Sequence, residues 1–438
     1  MSNELSNFIS KLALLEPLDL NYFRQALASE FIELQQMADC PQDAIWHSEG
    51  DVLTHTKMVM DAALEEIKQN PNLSYKNKVA IYLAALLHDV GKPATTYTTE
   101  YNRVVSPGHS AAAIPLARKI LYLLGVPFDI QEHVLRLILR HMLAYRMTSR
   151  LSPNFTINEI NIEYKQFFRL AAELNIPSLY HLTRADWLGR HGSNIPQTLE
   201  KIENFRARAE HYNLWNYKGL EVLSDRVFPS EDLHKLNVSD PQEQKRVQYL
   251  LLNLSLQGRI QSRDQALSYI NEHPDILRPK SAHLYLMLGI PGSGKSTWIN
   301  KNLPNIKVIS SDKKREELFN DVNWQGDNSK VFQECHLDIE KALFNGEKVI
   351  FDATNTKFSY RNTPLQIAFQ QFAHTTIVYF DLPLEISLAR NKQRDRQVPD
   401  LVIARYFNEL EVPRPTEAQQ LKIICETTNP IWENRLAT

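Results

Sequence analysis

The clearest chemical signal in the sequence is a glycine loop that could cradle phosphate oxygens. The stretch Gly289-Ile-Pro-Gly-Ser-Gly-Lys-Ser296 fits the pattern GxxxxGK[ST], with an apolar run before it and a helical stretch from Thr297 after it. Backbone N–H groups converge on phosphates in such loops, and the helix start adds favourable partial charge. We expect Lys295 to reach the β- and γ-phosphates and Ser296 to hold Mg²⁺. The sequence therefore predicts a site for ATP or another nucleoside triphosphate with Mg²⁺, formed by Gly289, Gly292, Ser293, Gly294, Lys295, Ser296 and Thr297.

Charged residues follow the next two apolar runs. Asp312 and Arg315 come after one of them, three residues apart, and therefore share a helix face. There Asp312 could accept the proton of an attacking hydroxyl and Arg315 could bind a phosphate of the acceptor; the alternative is a surface ion pair. Asp352 ends the third run, where it would support Mg²⁺ through water, or would simply cap the strand.

A basic run, Arg390-Asn-Lys-Gln-Arg-Asp-Arg396, follows the fourth apolar run. Such runs are usually solvated helix faces. Its position also makes it a candidate lid that closes Arg390 and Arg394 over a transferred phosphoryl group, since phosphoryl transfer depends mainly on positioning and charge neutralisation.

Polar residues on apolar helix faces in the first half of the chain could bind metal. His88 and Asp89 come at the end of the apolar helix Val79–Leu87, and four further positions share this character: His55, His109, His141 and Asp186. A single such residue would be a hydrogen-bonded core residue. Because burying six of them is costly without coordination, we expect a shared metal site, and imidazole with carboxylate suits Mn, Fe, Co, Ni or Zn.

The elements that position these residues change along the chain. From about residue 20 to 215 the sequence has helical periodicity, and residues 216–280 are polar and helix-like. After Pro279 short apolar runs alternate with helical segments, at 283–288, 307–310, 348–351 and 376–380. This alternation predicts an α/β domain with a parallel sheet. The predicted domains are 1–215 (all-α), 216–280 (a helical arm or linker) and 281–438 (α/β).

Composition limits the class of protein. The 438 residues carry a formal net charge of −2, with 43% hydrophobic residues, which excludes a disordered chain and a uniformly basic nucleic-acid coat. The three cysteines are scattered, which argues for a reducing compartment. The apolar run at 79–87 is far short of the roughly 20 residues of a membrane helix, and the N-terminus has no signal-peptide pattern. We expect a cytoplasmic protein with no membrane partner.

The motifs of the second half resemble those of the 5′-hydroxyl polynucleotide kinases of phage and bacterial repair. The resemblance covers about residues 283–438 and rests on the glycine loop, Asp312 with Arg315, and Arg390 with Arg394. It implies that Asp312 is the general base, that Arg315 grips the phosphate next to the 5′ nucleoside, and that Lys295, Arg390 and Arg394 neutralise the transferring phosphoryl group. Small-molecule kinases with P-loops use similar pieces.

The first half resembles the HD-domain metal-dependent phosphohydrolases over about residues 40–215. His55, His88-Asp89 and Asp186 match the basic pattern, and His109 and His141 fit the variant with a second metal, in which Asp89 would bridge. The resemblance implies two metals such as Mn, Ni, Co or Fe. Lys92 could bind substrate phosphate or be solvated, and His47 could support a ligand or contact substrate. His133, His181, His191 and His211 are interpreted as structural or surface residues.

A weaker likeness links residues 46–55 and 232–273 to the bacterial CCA-adding enzymes, which act on transfer RNA. It suggests a helical region that grips RNA through Lys245, Arg246 and Arg259, unless these residues are simply exposed. The polymerase half of that family has no counterpart in this sequence, so nucleotide addition is not implied.

Together the two halves resemble the bacterial HD–polynucleotide kinase family. The resemblance implies an end-healing enzyme that removes 2′,3′-cyclic phosphate and 2′-phosphate from RNA 3′ ends and phosphorylates 5′-hydroxyl ends. Its partners would be RNA ends, among them tRNA ends, and a separate RNA ligase; the kinase could also act on DNA ends. Two alternatives stay open: an HD nucleotidase fused to a small-molecule kinase, and a nucleotide-sensing HD module that regulates a kinase.

Overall fold

A computed structural model describes residues 3–21, 32–148, 157–191, 194–216, 220–321, 326, 328–425 and 431–432. The chain divides into two compact units. The first comprises Met1–Lys218 with Thr427–Thr438, and the second comprises Gly219–Glu426. In this division the described residues 220–280 lie in the unit that holds the sheet, and Ile431 and Trp432 lie in the helical unit.

Helices build the first unit. They are α1 (Asn3–Leu14), α2 (Ile32–Gln36), α3 (Val52–Gln69), α4 (Tyr75–Leu87), α5 (His109–Leu123), α6 (Phe128–Arg140), α7 (Leu143–Thr148), α8 (Ile157–Glu173), α9 (Ile176–Leu188) and α10 (Ile195–His211). A two-stranded antiparallel hairpin joins β1 (Tyr97–Thr98) and β2 (Val104–Val105).

Helix α4 is the centre of this unit. Every residue from Val79 to Leu87 is buried, because α3, α6 and α9 all pack against this helix. Side-chain caps fix where the helices start: Asp51 accepts a hydrogen bond from the Thr54 N–H before α3, and Ser74 accepts one from the Asn77 N–H before α4.

The second unit begins with the helices of the predicted arm. They are α11 (Leu220–Val227), α12 (Ser230–Lys235), α13 (Pro241–Leu256) and α14 (Arg263–Glu272), followed by a 3₁₀ turn at Pro274–Leu277. They share an apolar core that includes Phe228, Val247, Leu251 and Ile270.

A five-stranded parallel sheet follows in the order β4-β5-β3-β6-β7. Its strands are β3 (His283–Leu288), β4 (Lys307–Ser310), β5 (Lys348–Asp352), β6 (His374–Asp381) and β7 (Gln420–Cys425). The connecting helices are α15 (Lys295–Asn302), α16 (Ser311–Phe319), α17 (Ser329–Phe344), α18 (Phe358–Gln370), α19 (Leu384–Asn391) and α20 (Asp400–Asn408). The predicted fold class is confirmed, with β7 as a strand that the sequence analysis did not predict.

Candidate functional sites

In the first unit, helix ends carry the predicted metal ligands. His55 lies in the first turn of α3, His88 and Asp89 directly follow α4, His109 begins α5, His141 follows α6, and Asp186 lies in the last turn of α9. All except His109 are buried almost completely. The structure thus brings all six predicted residues into one region of the helical unit.

Two glycines allow the backbone to approach these ligands closely. A Cβ atom at Gly91 would lie 2.2 Å from the carbonyl oxygen of His109 and 2.5 Å from the N atom of Ala113. A Cβ atom at Gly189 would lie 2.6 Å from the N atom of Val59. Without a side chain, Gly91 lets the segment after Asp89 pack directly against the start of α5.

Three imidazoles are oriented by the same device. Nδ1 of His88 donates to the carbonyl of Ala85 at 2.9 Å, Nδ1 of His109 donates to Ser106 at 2.8 Å, and Nδ1 of His141 donates to Ile138 at 2.7 Å. Each ring therefore keeps Nε2 as its remaining nitrogen.

The Nε2 atoms of His109 and His141 lie 3.4 Å apart. When both Nδ1 atoms carry the protons, neither Nε2 atom can donate to the other. A cation bound by both atoms would resolve this contact.

Asp89 is the centre of the cluster. Its Oδ2 atom lies 3.2 Å from His88 Nε2, 3.8 Å from His55 Nε2 and 2.7 Å from Lys92 Nζ, and its Oδ1 atom lies 3.5 Å from His109 Nε2. In the described part of the chain, Asp89 Oδ1 and His88 Nε2 are buried with no hydrogen-bond partner. Buried polar atoms rarely stay unsatisfied, so these atoms fit the role of metal ligands.

In the described residues, three groups of ligand atoms have the dimensions of metal sites, with atoms within 4.8 Å of one another in each. One group is His47, Glu49 and His55. The other two overlap: His55, His88 and Asp89 form one, and Asp89, His109 and His141 form the other. Asp89 belongs to both overlapping groups, as expected of a residue that bridges two metals.

Protonation states suit ligation at two of these residues. Burial alone would raise the pKa of Asp89, but its interactions with His88 and Lys92 outweigh burial and hold this pKa well below its usual value. Burial, with the neighbouring His88, lowers the pKa of His141 to about 3, so its ring is neutral. Burial opposes protonation of His55 as well, but Asp186 and Glu49 raise its pKa.

Asp186 contacts the cluster through His55. Its Oδ1 atom lies 3.1 Å from His55 Nε2, and both of its oxygens accept hydrogen bonds of 2.8 Å from Arg190 Nη2. Arg190 therefore balances the charge of this carboxylate in the structure.

The sequence analysis missed Glu49. Its Oε1 atom lies 3.0 Å from His55 Nδ1 and 2.8 Å from His47 Nδ1, so Glu49 links His47 to a metal-ligand candidate. Burial lowers the pKa of His47 to about 4, although Glu49 opposes the shift. The available signal was the position of Glu49 in the stretch 46–50, two residues after His47.

The glycine loop of the second unit has the geometry that its sequence predicts. Gly292 and Gly294 adopt φ angles of +84° and +91°, which favour glycine, and a Cβ atom at Gly292 would lie 2.3 Å from the carbonyl oxygen of Ser387. Lys295 begins α15, and its Nζ atom donates to the carbonyls of Gly289 at 2.8 Å and Ile290 at 3.1 Å. Ser296 and Thr297 occupy the first turn of α15.

Asp352 lies at the same edge of the sheet. It ends β5 opposite Ser310 of β4. Burial raises the pKa of Asp352, while the positive charges of Lys295 and Arg394 oppose this shift. These interactions place Asp352 within the electrostatic reach of the glycine loop and of the basic run.

Asp312 binds two arginines. Its Oδ1 atom accepts a hydrogen bond of 2.7 Å from Arg315, and its Oδ2 atom accepts one of 3.0 Å from Arg396. Arg315 also donates to Asn328 Oδ1. The sequence analysis gave Arg396 no role; its position in the basic run was the available signal.

The basic run forms a turn rather than a solvated helix face. Helix α19 ends at Asn391, whose side chain closes the turn by donating to the Val398 carbonyl at 2.7 Å and accepting from the Val398 N–H at 3.0 Å. Arg390 lies beside the glycine loop, with its Nη1 atom 3.7 Å from the position of a Cβ atom at Gly294.

One expectation for the arm is wrong. Arg246 is neither exposed nor available to RNA, because it is 0% exposed. It donates to Glu243 Oε2 at 2.7 Å and to the carbonyls of Ile276, Arg278 and Phe372. Lys245 and Arg259 are exposed.

Two family models match the parts of the chain that hold the two candidate sites. A family model described as an HD domain matches residues 52–190, and one described as an AAA domain matches residues 284–413. The chain therefore contains an HD domain followed by a P-loop kinase-like domain. In the described residues, no helix is both long and apolar enough to cross a membrane.

Several curated proteins are similar to parts of the chain. An L-seryl-tRNA(Sec) kinase of Methanococcus maripaludis is 28% identical over 35% of this chain and 62% of its own length. A multifunctional CCA protein of Halorhodospira halophila is 32% identical over 38% of this chain and 36% of its own. A CC-adding tRNA nucleotidyltransferase of Thermus thermophilus is 28% identical over 43% and 38%. The chain thus spans less than two thirds of each of these relatives.

Proposed function

We propose that the protein heals broken RNA ends with two active sites. The P-loop domain would transfer the γ-phosphate of a nucleoside triphosphate to a 5′-hydroxyl, and the HD domain would remove 2′,3′-cyclic phosphate or 2′-phosphate from the 3′ end. The observation that carries the proposal is the pairing of Asp312 with Arg315 and Arg396, in a chain that also holds the buried metal-ligand cluster around Asp89.

In the kinase reaction, Asp312 would accept the proton of the attacking 5′-hydroxyl. Arg315 would exchange its single hydrogen bond to Asp312 for the phosphate next to the 5′ nucleoside. Lys295, Arg390 and Arg394 would neutralise the transferring phosphoryl group, which is the main requirement of phosphoryl transfer. Ser296 would hold Mg²⁺, supported by Asp352.

In the hydrolase reaction, His55, His88, Asp89, His109 and His141 would hold two divalent transition metals, with Asp186 beside His55. Such metals supply an activated water and stabilise charge on the attacked phosphoryl group. Lys92 binds Asp89 at 2.7 Å and Gln42 at 2.6 Å, so it can orient the carboxylate or turn toward a substrate phosphate.

RNA is the favoured substrate because two of the relatives, the L-seryl-tRNA(Sec) kinase and the CC-adding tRNA nucleotidyltransferase, are named for tRNA. DNA ends remain substrates to test for the kinase. Cleavage without metal leaves a 2′,3′-cyclic phosphate and a 5′-hydroxyl, so a separate RNA ligase would use the healed ends. The proposal includes a cytoplasmic location, consistent with cysteines that are free in the described residues.

The test uses a short RNA with a 5′-hydroxyl and a 2′,3′-cyclic phosphate, incubated with the full chain, ATP, Mg²⁺ and Mn²⁺. Mass spectrometry should show a gain of phosphate at the 5′ end and loss of the phosphate at the 3′ end, and chelation should stop both reactions. An unchanged oligonucleotide would refute the proposal.

A second candidate concerns only the acceptor of the kinase. The relative named as an L-seryl-tRNA(Sec) kinase favours a hydroxyl group other than a 5′ end. Equal amounts of 5′-hydroxyl RNA, seryl-tRNA and free nucleoside in one reaction with labelled ATP would identify the acceptor by the product that carries the label.

A further inference from the structure

Three aromatic rings and an arginine lie together in the helical unit, and we call them the aromatic row: Trp46, Trp187, Tyr145 and Arg190. The rings of Trp46 and Trp187 meet edge to face at 6.5 Å, and the rings of Tyr145 and Trp187 lie 5.0 Å apart. The guanidinium of Arg190 lies 4.3 Å above the Trp187 ring. The rings and the guanidinium thus form a continuous series of edge-to-face, tilted and cation–π contacts.

The aromatic row borders the candidate metal centre at two points. Trp187 follows Asp186 in the chain, and Arg190 binds both oxygens of Asp186. On the other side, Trp46 precedes His47, whose ring centroid is 4.7 Å from that of His55. The row is thus joined to two of the candidate metal ligands, to Asp186 through Arg190 and to His55 through His47.

Trp46 is the exposed ring of the row, and Tyr145 at the other end is partly exposed. Trp187 is 3% exposed, whereas Trp46 is 41% exposed. A single exposed tryptophan needs no functional explanation by itself. Here the exposed ring adjoins a buried one, and both are chain neighbours of residues in the metal-ligand cluster.

The loop that carries Trp46 is held in place. Gln42 Nε2 donates to the Asp51 carbonyl at 3.1 Å, Asp43 accepts from the Ile45 N–H at 3.0 Å, and Ser48 Oγ donates to the His191 carbonyl at 2.8 Å. A preorganised ring loses little conformational freedom when a ligand stacks on it.

We propose that Trp46 is the stacking platform for the nucleobase of the nucleotide whose phosphate lies at the metal centre. This inference rests on the proposed hydrolase function and adds the feature by which the site would distinguish a nucleotide from a base-free phosphate ester. Stacking tolerates any base, so the platform would accept 3′ ends regardless of sequence.

The experiment measures binding rather than turnover. Two probes that resist hydrolysis are titrated into the Mn²⁺-loaded full chain by calorimetry: the 2′-O-phosphonomethyl ether of adenosine and the same ether of base-free ribose. Trp46→Leu should weaken binding of the adenosine probe about tenfold, within the range for loss of one stacked base, and should leave the ribose probe unchanged. Trp46→Phe should retain most of the affinity.

Trp215→Leu is the matched control, because Trp215 also packs against a tyrosine and an arginine, Tyr180 and Arg206. It should affect neither probe. Equal affinities of wild type and Trp46→Leu for the adenosine probe would overturn the inference, as would equal losses for both probes or no binding to the wild type. A base-dependent difference in a protein that hydrolyses no RNA end would support the platform and reject the proposed function separately.

Discussion

Gly91 offers a direct test of the candidate metal centre, because the surrounding backbone leaves no room for an added methyl group. The Cβ atom of alanine would lie 2.2 Å from the His109 carbonyl oxygen, about 1.2 Å short of the 3.4 Å at which contact becomes ordinary. The obstructing atoms belong to the backbone of α5, so a side-chain rotation cannot relieve the clash. The start of α5, which carries His109, must move instead.

The size of the effect follows from this displacement. Overpacking of this kind typically costs about 1–3 kcal/mol of the free energy of unfolding. His109 Nε2 is 3.5 Å from Asp89 Oδ1, and a shift of about 1 Å would spoil the ligand group that these two residues form with His141. We expect Gly91→Ala to weaken binding of the second Mn²⁺ ion by about 10–100-fold, the usual effect of disturbing the support of a ligand.

The assay combines Mn²⁺ titration with chemical unfolding and with both proposed activities. Gly108→Ala is the matched control: Gly108 immediately precedes His109 and has a φ of +74°, but a Cβ atom there would meet no atom within 4 Å. It should cost about 1 kcal/mol through backbone strain and leave metal binding close to wild type. Normal Mn²⁺ affinity in Gly91→Ala, or equal losses in both variants, would refute the reasoning.

Further predictions address single residues. Asp312→Asn should abolish 5′ phosphorylation and spare phosphate release from the 3′ end, and retained kinase activity would exclude a proton-accepting role. Asp89→Asn should do the reverse and lower Mn²⁺ binding, and loss of both activities in a folded protein would show that the two sites are not independent. Burial lowers the pKa of His133 to about 4 from 6.5. On acidification the unfolded state therefore binds this proton first, and the free energy of unfolding falls between about pH 6.5 and pH 4. In chemical unfolding, His133→Phe should lose less stability than the wild type over this pH range, by up to about 1.4 kcal/mol per pH unit. Parallel pH profiles of the free energy of unfolding for the two proteins would contradict the lowered pKa of His133. Arg246→Met should reduce the free energy of unfolding by about 3–5 kcal/mol, because it leaves the Glu243 carboxylate without its buried partner, and a change under 1 kcal/mol would count against that view.

The sequence predicted the parts of the structure that have local signals. The bounds of β3 and β4 were predicted correctly, and the histidines of the candidate metal site stood out as polar groups on apolar faces. Strand β7 was not predicted because Gln420–Cys425 is an edge strand with no buried residue, so it lacks the continuous apolar run of the inner strands.

Residues whose environment depends on distant chain segments could not be predicted. Arg246 looked like an exposed cation beside Lys245, but its partners include carbonyls 30 and 126 residues away. Arg396 reaches Asp312 across 84 residues. The direction of a long side chain is decided by such partners, and charge pattern alone does not reveal them.

Trp432 gives the helical unit a dependence on the order of synthesis. Its indole is 0% exposed and donates to the carbonyl of Leu124, at the end of α5, the helix that begins with His109. A ribosome must therefore translate the whole P-loop domain before this piece of the helical unit can dock. A gene cut between the two domains would not yield two intact halves. The N-terminal product would retain every metal-ligand candidate but lack Trp432, whose indole binds the carbonyl at the end of α5.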